Sequence, residues 1–137
     1  MITKPDFNTY QTQIWLGVGL AAVTAATLTV LSPDKRVDVA ALITMLIASI
    51  YVGFGIADGR PRHLMIEIVG LTFFSGLTLL GLWVSPFWLV AGLMLHGVYD
   101  LIHHPGAIPT EIAAWYPPFC AIYDWLVGGY LLLLLWV

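Results

Sequence analysis

The chain has 137 residues, of which 60% are hydrophobic and 9% charged, and its mean hydropathy is +0.91. A soluble domain carries about a quarter charged residues, so this composition excludes an ordinary soluble fold and indicates an integral membrane protein. The net charge of −3 comes with no basic stripe, so no nucleic acid is expected as a partner.

Taken in order, Met1 to Gln13 is polar, with Lys4 beside Pro5 and Asp6, and makes a poor start for a signal peptide. The apolar run behind it is expected to stay as a transmembrane helix. Five such runs are visible: Ile14 to Leu31, Val39 to Ala57, Leu64 to Val84, Phe87 to Ile102 and Phe119 to Val137. Each is close to the length of about 20 residues that crosses a bilayer as a helix. The breaks between them hold Pro, Gly and charge, as in Ser32-Pro33-Asp34-Lys35-Arg36 and Asp58-Gly59-Arg60-Pro61. The fold expected is an all-α bundle of five transmembrane helices forming one domain over residues 1–137.

The first run repeats small residues at Gly17, Ala21 and Ala25 and the second at Ser49, Gly53 and Ala57. This four-residue spacing lets helices approach closely, so both stripes are expected to pack against neighbours. Trp15, Trp83, Trp88 and Trp136 fall near run ends, where an aromatic belt belongs.

The third run opens with His63 and Glu67 at i and i+4. The fourth closes with His96-Gly-Val-Tyr99-Asp100-Leu-Ile-His103-His104. At about 100° per residue His96, Asp100 and His103 share one face, with His104 off it. The fifth run buries Cys120 and Asp124 on one face. Between the fourth and fifth lies Pro105 to Pro118, read as a loop or short interfacial helix that covers the region beneath, with Trp115 and Tyr116 at headgroup level.

Because the chain changes side at each span, the end of the second, the start of the third, the end of the fourth and the start of the fifth share one side. Every ionisable residue inside a span lies near those four ends. Asp58, His63, Glu67, His96, Asp100, His103 and Asp124 are therefore expected to converge at one face. Lys4, Arg60 and Arg62 lie on that side and Lys35 and Arg36 on the other, which by the positive-inside rule puts the N-terminus in the cytoplasm and the C-terminus outside.

Imidazole and carboxylate are the ligands that zinc and iron share, so His96, Asp100, His103 and His104 are candidate ligands for one divalent metal ion. Glu67, Asp100 and Asp124 are candidate acid-base groups, and Asp58, His63, Tyr99, Tyr123 and Trp115 are candidate supporting or covering residues. Tyr99-Asp100 and Tyr123-Asp124 repeat a dipeptide, and either hydroxyl can donate to a carboxylate. Charge inside a membrane usually marks a site or a pathway. The reading that follows is a metal-binding or acid-base site acting on an apolar substrate drawn from membrane lipid. A proton-coupled transporter or channel subunit, working as a homo-oligomer, and an assembly protein are the alternatives.

Asp100-x2-His103-His104 is similar to one histidine box of the membrane desaturase and hydroxylase family. That family needs several such boxes, and the four histidines of this chain do not supply them. The small five-helix architecture also resembles the sterol isomerases of the emopamil-binding type, without a shared motif.

Overall fold

The computed structural model describes residues 7–104 and 106–137, with side chains from residue 10 onward. It is all-helical: α1 (Phe7–Val30), α2 (Pro33–Asp58), α3 (Pro61–Trp83), α4 (Phe87–His103) and α5 (Tyr116–Trp136), with no strand among the described residues. Four of them, α1, α2, α3 and α5, are long and apolar enough to cross a membrane. Helix α4 has 17 residues and rises roughly 25 Å.

The punctuation between the runs sets the helix ends. Pro33 and Pro61 occupy first-turn positions, where a missing N–H costs nothing, and Pro117 and Pro118 do the same for α5. Gly59 closes α2 in the left-handed region at φ 76°, its N–H returning to the Ile56 carbonyl. At the other end of the bundle Arg36 reaches back to cap α1, donating from Nε to the Leu28 carbonyl at 2.8 Å and from Nη2 to Leu31 at 3.3 Å. A cation at a helix C-terminus meets both the free carbonyls and the negative end of the dipole.

Helix α5 packs between α1 and α4, α4 continues to α3, and α3 to α2, which also touches α4 and α1. Close approach depends on small residues. A Cβ at Gly17 would lie 2.7 Å from the Phe119 carbonyl oxygen, so α1 and α5 meet backbone to backbone there. Ala21 continues that contact and is 3% exposed.

The second small-residue stripe behaves otherwise. Ser49, Gly53 and Ala57 are exposed, and a Cβ at Gly53 would meet nothing within 4 Å. The buried face of α2 is Thr44, Ala48, Tyr51 and Gly55. Tyr51 stands two residues, about 200° of rotation, from both Ser49 and Gly53. Turning Tyr51 toward the interior therefore turns the stripe outward. Trp15, Trp83, Trp88 and Trp136 are all exposed, as belt residues must be.

Gly17→Val should weaken the α1–α5 contact by about 1–3 kcal/mol through overpacking, read as a lower thermal midpoint in detergent. Gly19→Val, with nothing within 4 Å of its added Cβ, should leave the midpoint unchanged; equal effects would contradict the packing described.

Candidate functional site

The polar ends of α2, α3, α4 and α5 meet at one end of the bundle, and the side chains there divide into three groups. The innermost is His96, Asp100, Cys120 and Asp124. His96 Nδ1 donates to Asp124 Oδ2 at 2.7 Å and lies 3.6 Å from Asp100 Oδ2 on the next turn of α4. Tyr51 donates its hydroxyl to Asp100 Oδ1. Cys120 Sγ lies 3.9 Å from Asp124 Oδ2 and 3.5 Å from the Tyr116 hydroxyl. His96, Asp100 and Asp124 are 0% exposed and Cys120 is 1% exposed. Each of the four offers one ligand atom, and those atoms lie within 4.8 Å of one another.

Three polar atoms of this group have no hydrogen-bond partner among the described residues: His96 Nε2, Asp100 Oδ2 and Asp124 Oδ1. Orphaned buried polar atoms are costly, and three at one spot need a physical explanation. Tyr51 and Phe74 box the imidazole, with ring centroids 5.5 and 4.8 Å from it.

The second group surrounds Glu67, also 0% exposed. Its Oε1 accepts from Thr110 Oγ1 at 2.5 Å and faces His103 Nε2 at 3.2 Å, while Oε2 accepts from the Tyr99 hydroxyl at 2.7 Å. His103 Nδ1 lies 2.9 Å from the Tyr99 carbonyl. A carbonyl only accepts, so Nδ1 carries a proton. The contact between Nε2 and Oε1 then needs one further proton, held by either atom, which makes Glu67 and His103 a proton-sharing pair. Gly70 makes the Tyr99 bond sterically possible, since a Cβ there would lie 2.6 Å from the Tyr99 hydroxyl oxygen.

The third group sits at the rim. Asp58 accepts from Arg60 Nε at 2.6 Å, from the Glu111 N–H at 2.8 Å and from His63 Nδ1 at 3.1 Å. The Asp58 hydrogen bond holds the proton on Arg60 still more firmly than usual. Glu111 adds a contact to Arg60 Nη2 at 3.1 Å. The segment between α4 and α5 is thus pinned twice, through Thr110 to Glu67 and through Glu111 to Asp58. Its described residues form no helix before Tyr116, and Pro105 lies outside the described residues.

Several candidates from the sequence take different places. His103 turns to Glu67 rather than to His96. His104 is exposed and stacks edge-on with Tyr10 at 5.5 Å. The four-atom cluster has Cys120 and Asp124 where the sequence suggested these two histidines. Tyr123 points to α1, its hydroxyl 3.1 Å from Thr24 Oγ1, and donates to no carboxylate of the cluster. Asp58 and His63 pair at the rim, and Trp115 is half exposed above α5. Lys4 lies outside the described residues. Tyr51 and Thr110 are absent from the sequence reading, and Cys120 enters it only as a buried neighbour of Asp124, not as a candidate ligand. Only Cys120 carried a signal, standing four residues before Asp124 on one face.

Fold and site together define a small helical membrane protein with a buried His/Asp/Cys cluster. Residues 12–135 match the model of DUF6010, a family of unknown function, and the chain belongs to that family. No curated protein and no solved structure matched it.

Tyr99→Phe removes one of the donors on Glu67 and should cost about 0.5–2 kcal/mol of stability. Unfolding in mixed micelles measures this, and an unchanged midpoint would mean that Glu67 does not depend on that bond.

Proposed function

We propose that the chain is a five-span membrane protein in which His96, Asp100, Cys120 and Asp124 bind one divalent metal ion, beside a Glu67–His103 acid-base pair that acts on an apolar, lipid-like substrate. The observation that carries this reading is the convergence of three orphaned buried atoms on a four-ligand cluster. Charge points the same way. Three carboxylates, Glu67, Asp100 and Asp124, are wholly buried against two buried histidines, His96 and His103, and among the described residues no lysine or arginine is buried. A cation between Asp100 and Asp124 relieves both problems.

The donor set of one imidazole, one thiol and two carboxylates suits zinc first and iron second. Zinc ligands stand roughly 3.3–3.8 Å apart across a tetrahedral site, so atoms within 4.8 Å need only side-chain adjustment. A metal held there would supply Lewis-acid polarisation or an activated water. Glu67 then gives or takes a proton through His103, and Thr110 and Tyr99 hold its carboxylate in place. Helix α4 counts as the fifth span because 17 residues reach the lower limit of about 17–25 for a crossing. Its polar residues face α2, α3 and α5. The basic residues beside the cluster favour a cytoplasmic N-terminus and an external C-terminus.

A proton route across the membrane is less well supported. Thr27, Thr44, Ser75 and Thr78, which would line the other half, donate to carbonyls four residues back on their own helices.

Elemental analysis of the detergent-purified protein should find about one zinc per chain, lost in His96→Ala and Asp124→Asn variants whose helical circular dichroism is unchanged. Wild-type protein that holds neither zinc nor iron after reconstitution would overturn the metal site.

A further inference from the structure

The seam between α3 and α4 carries an apolar groove on the outside of the bundle, with a cavity of about 460 Å³. That lies within the about 300–1,000 Å³ of small-molecule sites. Its walls include Val69 and Phe73 of α3 and Val98 of α4, and these are 63%, 53% and 46% exposed. In a bilayer such walls face acyl chains. Gly70, Phe74 and Tyr99 also line it.

Two of these lining rings border the polar groups behind them. The Phe74 ring stands 4.8 Å from His96, and the Tyr99 hydroxyl donates to Glu67 Oε2 at 2.7 Å. One ring's thickness therefore separates a lipid-facing groove from the buried acid-base pair. Among the described residues Tyr99 carries the only polar side chain in the lining, and Gly70 leaves its hydroxyl room to pass over α3.

We infer that this groove is a lateral binding site for a single-chain lipid alcohol, an alkyl or isoprenoid chain ending in a hydroxyl that exchanges with the Tyr99 hydroxyl on Glu67. The chain belongs in the groove because the lining is apolar and opens to the bilayer. The head group is neutral because no lysine or arginine lines the groove and an anion would approach the buried Glu67 carboxyl. A hydroxyl suits both partners there: it donates to Glu67 Oε2 and accepts from the displaced Tyr99 O–H. Glu67 is the seventh residue of α3, about 9 Å along the helix from its start, so the head group sits beneath the interface. The inference rests on reading Glu67 and His103 as the acid-base pair and is independent of the metal.

The test is photolabelling of the full chain in phosphatidylcholine nanodiscs with a diazirine-bearing hexadecanol, followed by peptide mass spectrometry. Labelling should concentrate on the peptides holding Val69, Phe73 and Val98, and unlabelled hexadecanol should compete where palmitate and hexadecane do not. Val98→Trp should cut labelling by about tenfold or more, the equivalent of about 1.4 kcal/mol, at unchanged zinc content. Labelling spread evenly over all exposed helix faces, or equal competition by palmitate or hexadecane, would overturn the inference. Zinc-free protein that is still labelled selectively removes the metal reading alone, and zinc-loaded protein without selective labelling removes this one alone.

Discussion

Three carboxylates buried in an apolar bundle set the terms for everything else in this structure. A bare charge in the middle of a membrane costs roughly 2.5–3.5 kcal/mol on the lenient insertion scale, whereas a hydrogen bond between membrane helices returns on average about 0.6. One partner per acid is therefore too few. Glu67 collects Thr110, Tyr99 and His103, and Asp58 at the rim collects Arg60, His63 and the Glu111 N–H. Asp100 and Asp124 are the exception, each keeping one oxygen without a hydrogen-bond partner among the described residues. The least satisfied acids are also the ones arranged with an imidazole and a thiol, which is why the site is read there.

The same need fixes how the helices turn. Hydrophobic burial cannot choose a face when the surroundings are as apolar as the side chains, so small residues and polar partners choose it instead. Tyr51 has to reach Asp100, and this sends Ser49, Gly53 and Ala57 outward although their spacing suits helix packing. Tyr99 has to reach Glu67, and Gly70 clears the way. Gly17 admits α5 far from any buried acid, and there the small-residue rule works as written.

Aromatic rings then divide the polar region. Tyr51 stands 5.5 Å from His96 and 4.5 Å from His103, and its hydroxyl serves Asp100. Tyr99 stands 4.4 Å from His103, and its hydroxyl serves Glu67. Two rings that lie side by side thus serve different acids, so the metal-type cluster and the proton-sharing pair stay separate although both draw on one face of α4. His96 and His103, seven residues apart on that face, go to different partners because α5 supplies Asp124 beside one and α3 supplies Glu67 beside the other.

Legible in the chain alone were the helical class, the helix ends to within three residues except at the starts of α1 and α2, which lie seven and six residues before the apolar runs, the Pro and Gly punctuation and the gathering of ionisable groups at one end. Each of these follows from composition or from the parity of crossings, which need no knowledge of neighbours. Which groups touch was decided only by the tertiary structure. His103 and His96 share a stripe of α4, yet the rotation of α3 gives one to Glu67 and that of α5 gives the other to Asp124. Thr110 lies in a segment without periodicity, and Tyr51 reads as one aromatic among many in an apolar run. Cys120 stood in view four residues before Asp124, but a lone thiol acquires meaning only from the imidazole and carboxylates that another helix brings to it. Contacts between helices depend on their relative rotation, and a one-dimensional pattern fixes that rotation only where one face differs sharply from the other.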